Sequence, residues 1–150
     1  MKSDARDSEP GGSESMTVLD LAPDLGELER VKDLIERFQT SHGLPPDVGQ
    51  ALMLVVEELL VNIISYGNLT DEVGCIRVAL GRDGDVVVVE LRDKAAAYDP
   101  FGTARPDLSR TVDDAPIGGL GVHLVRHMTD RQEYRREGEW NVTRVYKILK

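Results

Sequence analysis

Glu58 and Asn62 stand four residues apart in the segment VVEELLVNII, inside an apolar stretch of helical period. On a helix, side chains at i and i+4 leave the same face about one turn apart, so this pair can share one ligand. An Asn carbonyl oxygen is a hard donor suited to magnesium, and a carboxylate one turn away can orient or deprotonate an attacking hydroxyl. The plainer alternative is that Asn62 satisfies a backbone group while Glu57 and Glu58 form a solvated edge. A helical wheel sets Ala51, Val55 and Ser65 beside the pair. It puts Leu52, Val56, Leu59 and Ile63 on the far side, facing a core.

Two further constellations carry polar chemistry. In VVVVELRDKAAAYDPF an almost continuous apolar run ends in Asp93, followed by the small residues Ala95, Ala96 and Ala97. A carboxylate there can accept a hydrogen bond from an amino group such as that of adenine, with three alanines admitting a flat ligand. It can equally cap local turn amides, since Asp is a favoured turn residue. In APIGGLGVHLVRHM, Gly118, Gly119 and Gly121 precede a helical pattern, where free N–H groups and the helix dipole favour an anion such as phosphate. Glycine clusters also serve simply as turns. The late position and the spacing do not fit the Gly-x-Gly-x-x-Gly of a dinucleotide fold. His123 and His127 are also four apart, but no third ligand accompanies them and no Glu follows His123, so they read as surface or packing residues.

The elements that must position these residues follow from period and punctuation. Met16 to Leu21 reads as a short strand, and Asp24 with Glu27 as a capping box opening a helix that carries Leu28, Val31, Ile35 and Phe38 on one face. That helix stops near Gly43. Pro45-Pro46 opens the next, from Pro46 to about Ser65, apolar around most of its circumference and therefore central. Cys75 to Leu80 and Val86 to Arg92 read as a hairpin about Arg82-Asp83-Gly84. A Pro, Gly, Asp and Thr-rich loop covers Pro100 to Ile117, and a helix runs from the glycine cluster to about Thr129. Arg131 to Arg136 and Val142 to Leu149 close the chain as a second hairpin, with Trp140 and Tyr146 packing it.

Composition narrows the function classes. The formal net charge of -9 over 150 residues argues against nucleic-acid binding, which needs clustered Lys and Arg. A protein partner or a small ligand is expected. Cys75 is the single cysteine, so an intrachain disulfide is impossible, and a cytoplasmic location is expected. Residues 1–15, with almost no apolar side chains, read as a flexible leader, with a single domain over 16–150. No segment reads as membrane-spanning.

Taken in order, Glu58-x-x-x-Asn62, Asp93-x-Ala95 with Tyr98-Asp99-Pro100, and Gly118-Gly119-Leu120-Gly121 resemble the motifs of the ATPase family shared by gyrase, heat-shock chaperones, mismatch-repair proteins and histidine kinases. The likeness is greatest to its anti-sigma factor serine kinase branch and covers about residues 16 to 150. It implies an α/β (α+β) two-layer sandwich, with helices on one face of a mixed, largely antiparallel sheet and ATP held between helices under a lid formed by Pro100 to Ile117.

Carried over by position, the resemblance makes Asn62 the magnesium ligand, Glu58 the catalytic carboxylate and Asp93 the reader of the adenine amino group. Ala95, Tyr98, Gly118, Gly119, Leu120, Gly121 and Val122 would line the nucleotide, the glycines letting backbone amides approach phosphate. Thr143, in Asn141-Val142-Thr143, resembles the final-strand Thr that supports adenine through Asp93 and water. Arg105 or Arg110 in the lid would touch the terminal phosphate. One departure stands out, because the family usually has Gly where this chain has Ala95.

The expected function is a serine/threonine kinase acting on an anti-sigma-factor antagonist and sequestering a sigma factor, with ATP and Mg2+ as cofactors. A non-catalytic nucleotide-gated regulator and a detached histidine-kinase catalytic domain are the alternatives. The exposed face of the helix over Glu27 to Thr40 is available for a homodimer.

Overall fold

The structure, a computed structural model, describes residues 16–67, 69, 74–102 and 119–150. The leader, Gly118, the lid beyond residue 102 with Arg105 and Arg110, and the side chain of Leu120 lie outside the described residues.

The chain begins with β1 (Thr17–Leu21) and a single 3-10 turn (Leu25–Glu27) that leads into α1 (Leu28–Ser41). The Asp24 carboxylate accepts from the Gly26 amide at 2.9 Å, as an N-cap should. Glu27, however, accepts from Ala22 N–H at 2.8 Å and not from Asp24, whose amide is taken by the Ala22 carbonyl. The expected capping box is therefore stretched, because the 3-10 turn stands between the cap and the helix proper. Val31, Leu34, Ile35 and Phe38 form the buried stripe of α1.

Pro45, in extended conformation, precedes α2 (Pro46–Tyr66), where Pro46 takes the position at which a missing N–H is harmless. Buried side chains recur from Val48 to Leu60, and α2 packs against α1, α3 and the sheet. Its length and apolar composition would allow a membrane crossing, but here it is the core helix.

The first hairpin joins β2 (Ile76–Asp83) to β3 (Val86–Asp93), and the second joins β4 (Arg131–Glu137) to β5 (Trp140–Ile148). Each reverses at a glycine with positive φ, Gly84 at 61° and Gly138 at 58°, a conformation that side chains disfavour. β2 runs three residues further than its apolar pattern suggests, since Gly81, Arg82 and Asp83 pair with Val88, Val87 and Val86. Between the hairpins lies α3 (Gly119–Met128).

The sheet order is β1-β2-β3-β5-β4, and every described pairing is antiparallel. With a period of two, one face presents Leu21, Ile76, Val78, Leu80, Val87, Val89, Leu91 and Val145 to the helices, the expected two-layer sandwich. The last positions of that face are polar: Asp93 on β3 stands opposite Asn141 on β5. On the other face Glu90 is buried between Arg92 at 2.8 Å and Arg144 at 2.7 Å.

Candidate nucleotide site

A cavity of about 210 Å³ opens between the C-terminal half of α2 and the polar end of the sheet. Its floor is Asp93, Asn141 and Thr143, and its walls are Asn62 and Tyr66 from α2 and the Ala95 to Tyr98 segment. Leu59 and Ile63 also line it. The expectation that these two face away from the Glu58/Asn62 side is corrected: α2 is covered around so much of its surface that they serve the core and the cavity wall together.

Asp93 is 4% exposed. Its Oδ1 accepts from Asn141 Nδ2 at 2.8 Å and from the Ala95 amide at 3.0 Å. No described residue donates to Oδ2. Burial pushes the Asp93 carboxyl above the usual aspartate range, against the opposing pull of the Asn141 and Ala95 hydrogen bonds and of Arg136. The turn-capping reading of Asp93 is thus observed at Oδ1, while Oδ2 takes no hydrogen bond among the described residues.

Asn141, 3% exposed, is the hub of this end. Besides Asp93, its Nδ2 donates to the carbonyls of Ala95 at 3.2 Å and Ala96 at 3.0 Å. Its Oδ1 accepts from Tyr134 Oη at 2.5 Å, Arg136 Nη1 at 3.2 Å and the Tyr98 amide at 3.3 Å. Arg136 also donates to the Ala95 carbonyl at 2.8 Å. Tyr134 and Arg136 went unnoticed in the sequence, although their spacing of two on a strand puts them on one face.

Ala95 keeps its methyl clear of strain because Gly67 lies beside it. A Cβ on Gly67 would stand 3.2 Å from the Ala95 Cβ and would collide with the Ile63 carbonyl. Tyr98, 51% exposed, stands at the rim, while Thr143 is buried in the floor.

The other end of the site is formed where α2 meets α3. Glu58, half-buried, points its carboxylate at Gly121: a Cβ there would overlap Glu58 Oε1 and lie 3.4 Å from its Cδ. Gly119 and Gly121 belong to the first turn of α3, whose leading N–H groups have no carbonyl one turn back within the helix. The Val122 side chain is buried at 6% and is not part of the cavity wall, which leaves only its backbone for a nucleotide. Asn62 makes no side-chain hydrogen bond among the described residues. Running along α2, the site therefore presents in order the start of α3, Glu58, Asn62 and the Asp93 cavity.

Lower on α3, Arg126 donates to the Phe101 carbonyl, tying the helix to the residues that lead into the expected lid. His123 and His127 join no group of three metal-ligating side chains among the described residues.

A sheet covered on one face by helices, with a polar pocket at one end, defines the class of protein. Residues 21–147 match the histidine kinase-like ATPase domain, and this chain belongs to that family, whose domain uses ATP. It is 36% identical over 90 residues to the serine/threonine-protein kinase BtrW of Bordetella bronchiseptica, a match covering 60% of this chain and 63% of that relative. The matched region is thus less than two thirds of BtrW. Two solved structures share the fold. The RsbU and RsbW domains of Rv1364c from Mycobacterium tuberculosis align with a TM-score of 0.65 at 12% identity, over 89% of this chain and 32% of that one. The SiaB-SiaC complex from Pseudomonas aeruginosa aligns with 0.61 at 15% identity, over 87% and 88%.

Proposed function

We propose that this protein is an ATP-dependent serine/threonine kinase that phosphorylates an anti-sigma-factor antagonist and switches partners as it does so. The observation that carries the reading is the common face of Glu58 and Asn62, lying between the first turn of α3 and the Asp93 cavity. The similarity to BtrW, named as a serine/threonine-protein kinase, supports the choice of acceptor.

In this reading adenine enters the cavity with its amino group toward Asp93 Oδ2, and the phosphates lie toward Gly119 and Gly121. The Asn62 side-chain oxygen, which takes no hydrogen bond among the described residues, would suit magnesium, a hard cation that prefers oxygen donors. When bound, the metal neutralises phosphate charge. Glu58 accepts the proton of the acceptor hydroxyl as that oxygen bonds to the γ-phosphorus and the bridge to ADP breaks. The compartment is the cytoplasm, and sequestration of a sigma factor and a homodimer through α1 belong to the same reading.

Incubation with labelled ATP and the candidate antagonist tests it. Acid-stable label on a Ser or Thr of the antagonist, lost with Glu58→Gln, is the expected result. Absence of label while ATP is demonstrably bound overturns the kinase assignment, and acid-labile label would point instead to a phosphohistidine acceptor.

A further inference from the structure

The hydrogen bonds of Asn141 fix its orientation without ambiguity. Every group around Oδ1 is a donor, namely a phenol, a guanidinium and a backbone N–H. Every group around Nδ2 is an acceptor, namely a carboxylate and two carbonyls. Asn is the side chain of this length that offers both functions. Asp in its place would set a second carboxylate against Asp93, and Ala would leave several buried partners unsatisfied.

Asp93 and Asn141 also face each other across the β3-β5 ladder, so neither needs a long side chain to make the contact. With Nδ2 and the Ala95 amide both on Oδ1, the Asp93 carboxylate cannot rotate freely, and Oδ2 is the oxygen of this cavity-lining residue that takes no hydrogen bond among the described residues.

Resting on the ATP reading above, we propose that Asn141 is the positioning residue for base selectivity. By holding Asp93 Oδ1 and the Ala95 and Ala96 carbonyls, it presents Oδ2 alone to the exocyclic amino group of the purine. A residue in this role raises affinity for nucleotides that carry a 6-amino group and does little for those that lack one.

The experiment is calorimetric titration of wild type, Asn141→Ala and Asn141→Asp with ATP and with purine riboside triphosphate, which has hydrogen in place of the 6-amino group. Wild type should favour ATP. Asn141→Ala should lose about tenfold for ATP and much less for the analogue, the scale of one hydrogen bond to a charged group. Asn141→Asp should move the pH dependence of ATP affinity upward, because two adjacent carboxylates share a proton; this arm stands even if the alanine variant does not fold. Equal losses for both nucleotides would reduce Asn141 to a brace for the loop and overturn the proposal. Equal wild-type affinity for both would overturn it while leaving ATP binding intact. Failure of wild type to bind either would instead remove the underlying ATP assignment.

Discussion

The carboxylate of Glu58 occupies the space that a side chain on Gly121 would need. A side chain at Gly121 would have to push aside that carboxylate, the flexible end of a catalytic candidate from another helix, and would also hinder any approach of phosphate to its backbone. The two causes separate experimentally, because one concerns turnover and the other binding.

Gly121→Ala should reduce phosphoryl transfer roughly 10- to 100-fold, the cost of displacing a reacting group by about 1 Å. Alanine inside a helix is intrinsically favoured over glycine by about 1 kcal/mol, so unfolding is not the expected reason. Single-turnover rates measured beside ATP affinity decide the matter. A large loss of affinity with an unchanged rate would assign Gly121 to the phosphates alone.

Ala95→Gly should change ATP affinity by less than about threefold, since the Ala95 methyl has room beside Gly67, where only an added Cβ would crowd it. Gly67→Ala should be the damaging change, costing about 1–3 kcal/mol of stability through its clash with the Ile63 carbonyl. Denaturant melts of both variants with titrations of Ala95→Gly check this pair. A large gain in affinity for Ala95→Gly would show that the methyl obstructs the base.

ATP affinity should weaken on acidification, beginning above the usual aspartate range, because burial raises the Asp93 pKa and the protonated carboxyl is a poorer acceptor for an amino group. For the unliganded protein the sign is opposite: a raised carboxylate pKa favours the folded state at low pH. That contribution is lost as pH climbs from the unfolded value through the folded one. ATP titrations and denaturant melts across pH for wild type and Asp93→Asn test the two in turn, and a wild-type binding profile matching that of Asp93→Asn would refute the first.

Glu90 behaves in the other direction. Burial alone would raise its pKa, but Arg92 and Arg144 hold it below the ordinary glutamate range. Its contribution is therefore present above the unfolded pKa and lost as pH falls through the folded value. Glu90→Gln should destabilise by about 2–3 kcal/mol, since it removes the buried charge shared by Arg92 and Arg144, of which Arg92 keeps Glu137 at 3.1 Å. Urea melts at neutral and acidic pH measure this. An unchanged midpoint would mean that water and the existing Arg92–Glu137 pair suffice for the two guanidinium groups.

Local order was legible in the residues themselves. The apolar stripe of α1, the proline-led start of α2 and the glycine reversals at Gly84 and Gly138 all follow from period and turn chemistry, and the helix-over-sheet arrangement is what the family resemblance of the three ordered motifs implies. What escaped were contacts between segments distant in sequence. Asn141 meets Asp93 across 48 residues only because β3 and β5 pair in one register. The seat of Glu58 on Gly121 depends on how α2 packs on α3. The wheel of α2 placed Leu59 and Ile63 in the core, where they are, but missed that they also line the cavity, because a helix covered on nearly all sides has no single core face.

Nucleotide binding through Asn62 is the central claim, and titration of Mg-ATP into wild type and Asn62→Ala tests it most directly. Saturable binding to wild type, weakened at least about tenfold in the variant through loss of a metal-directed oxygen, is the predicted result. No binding to wild type, or the same affinity in both proteins, would contradict it.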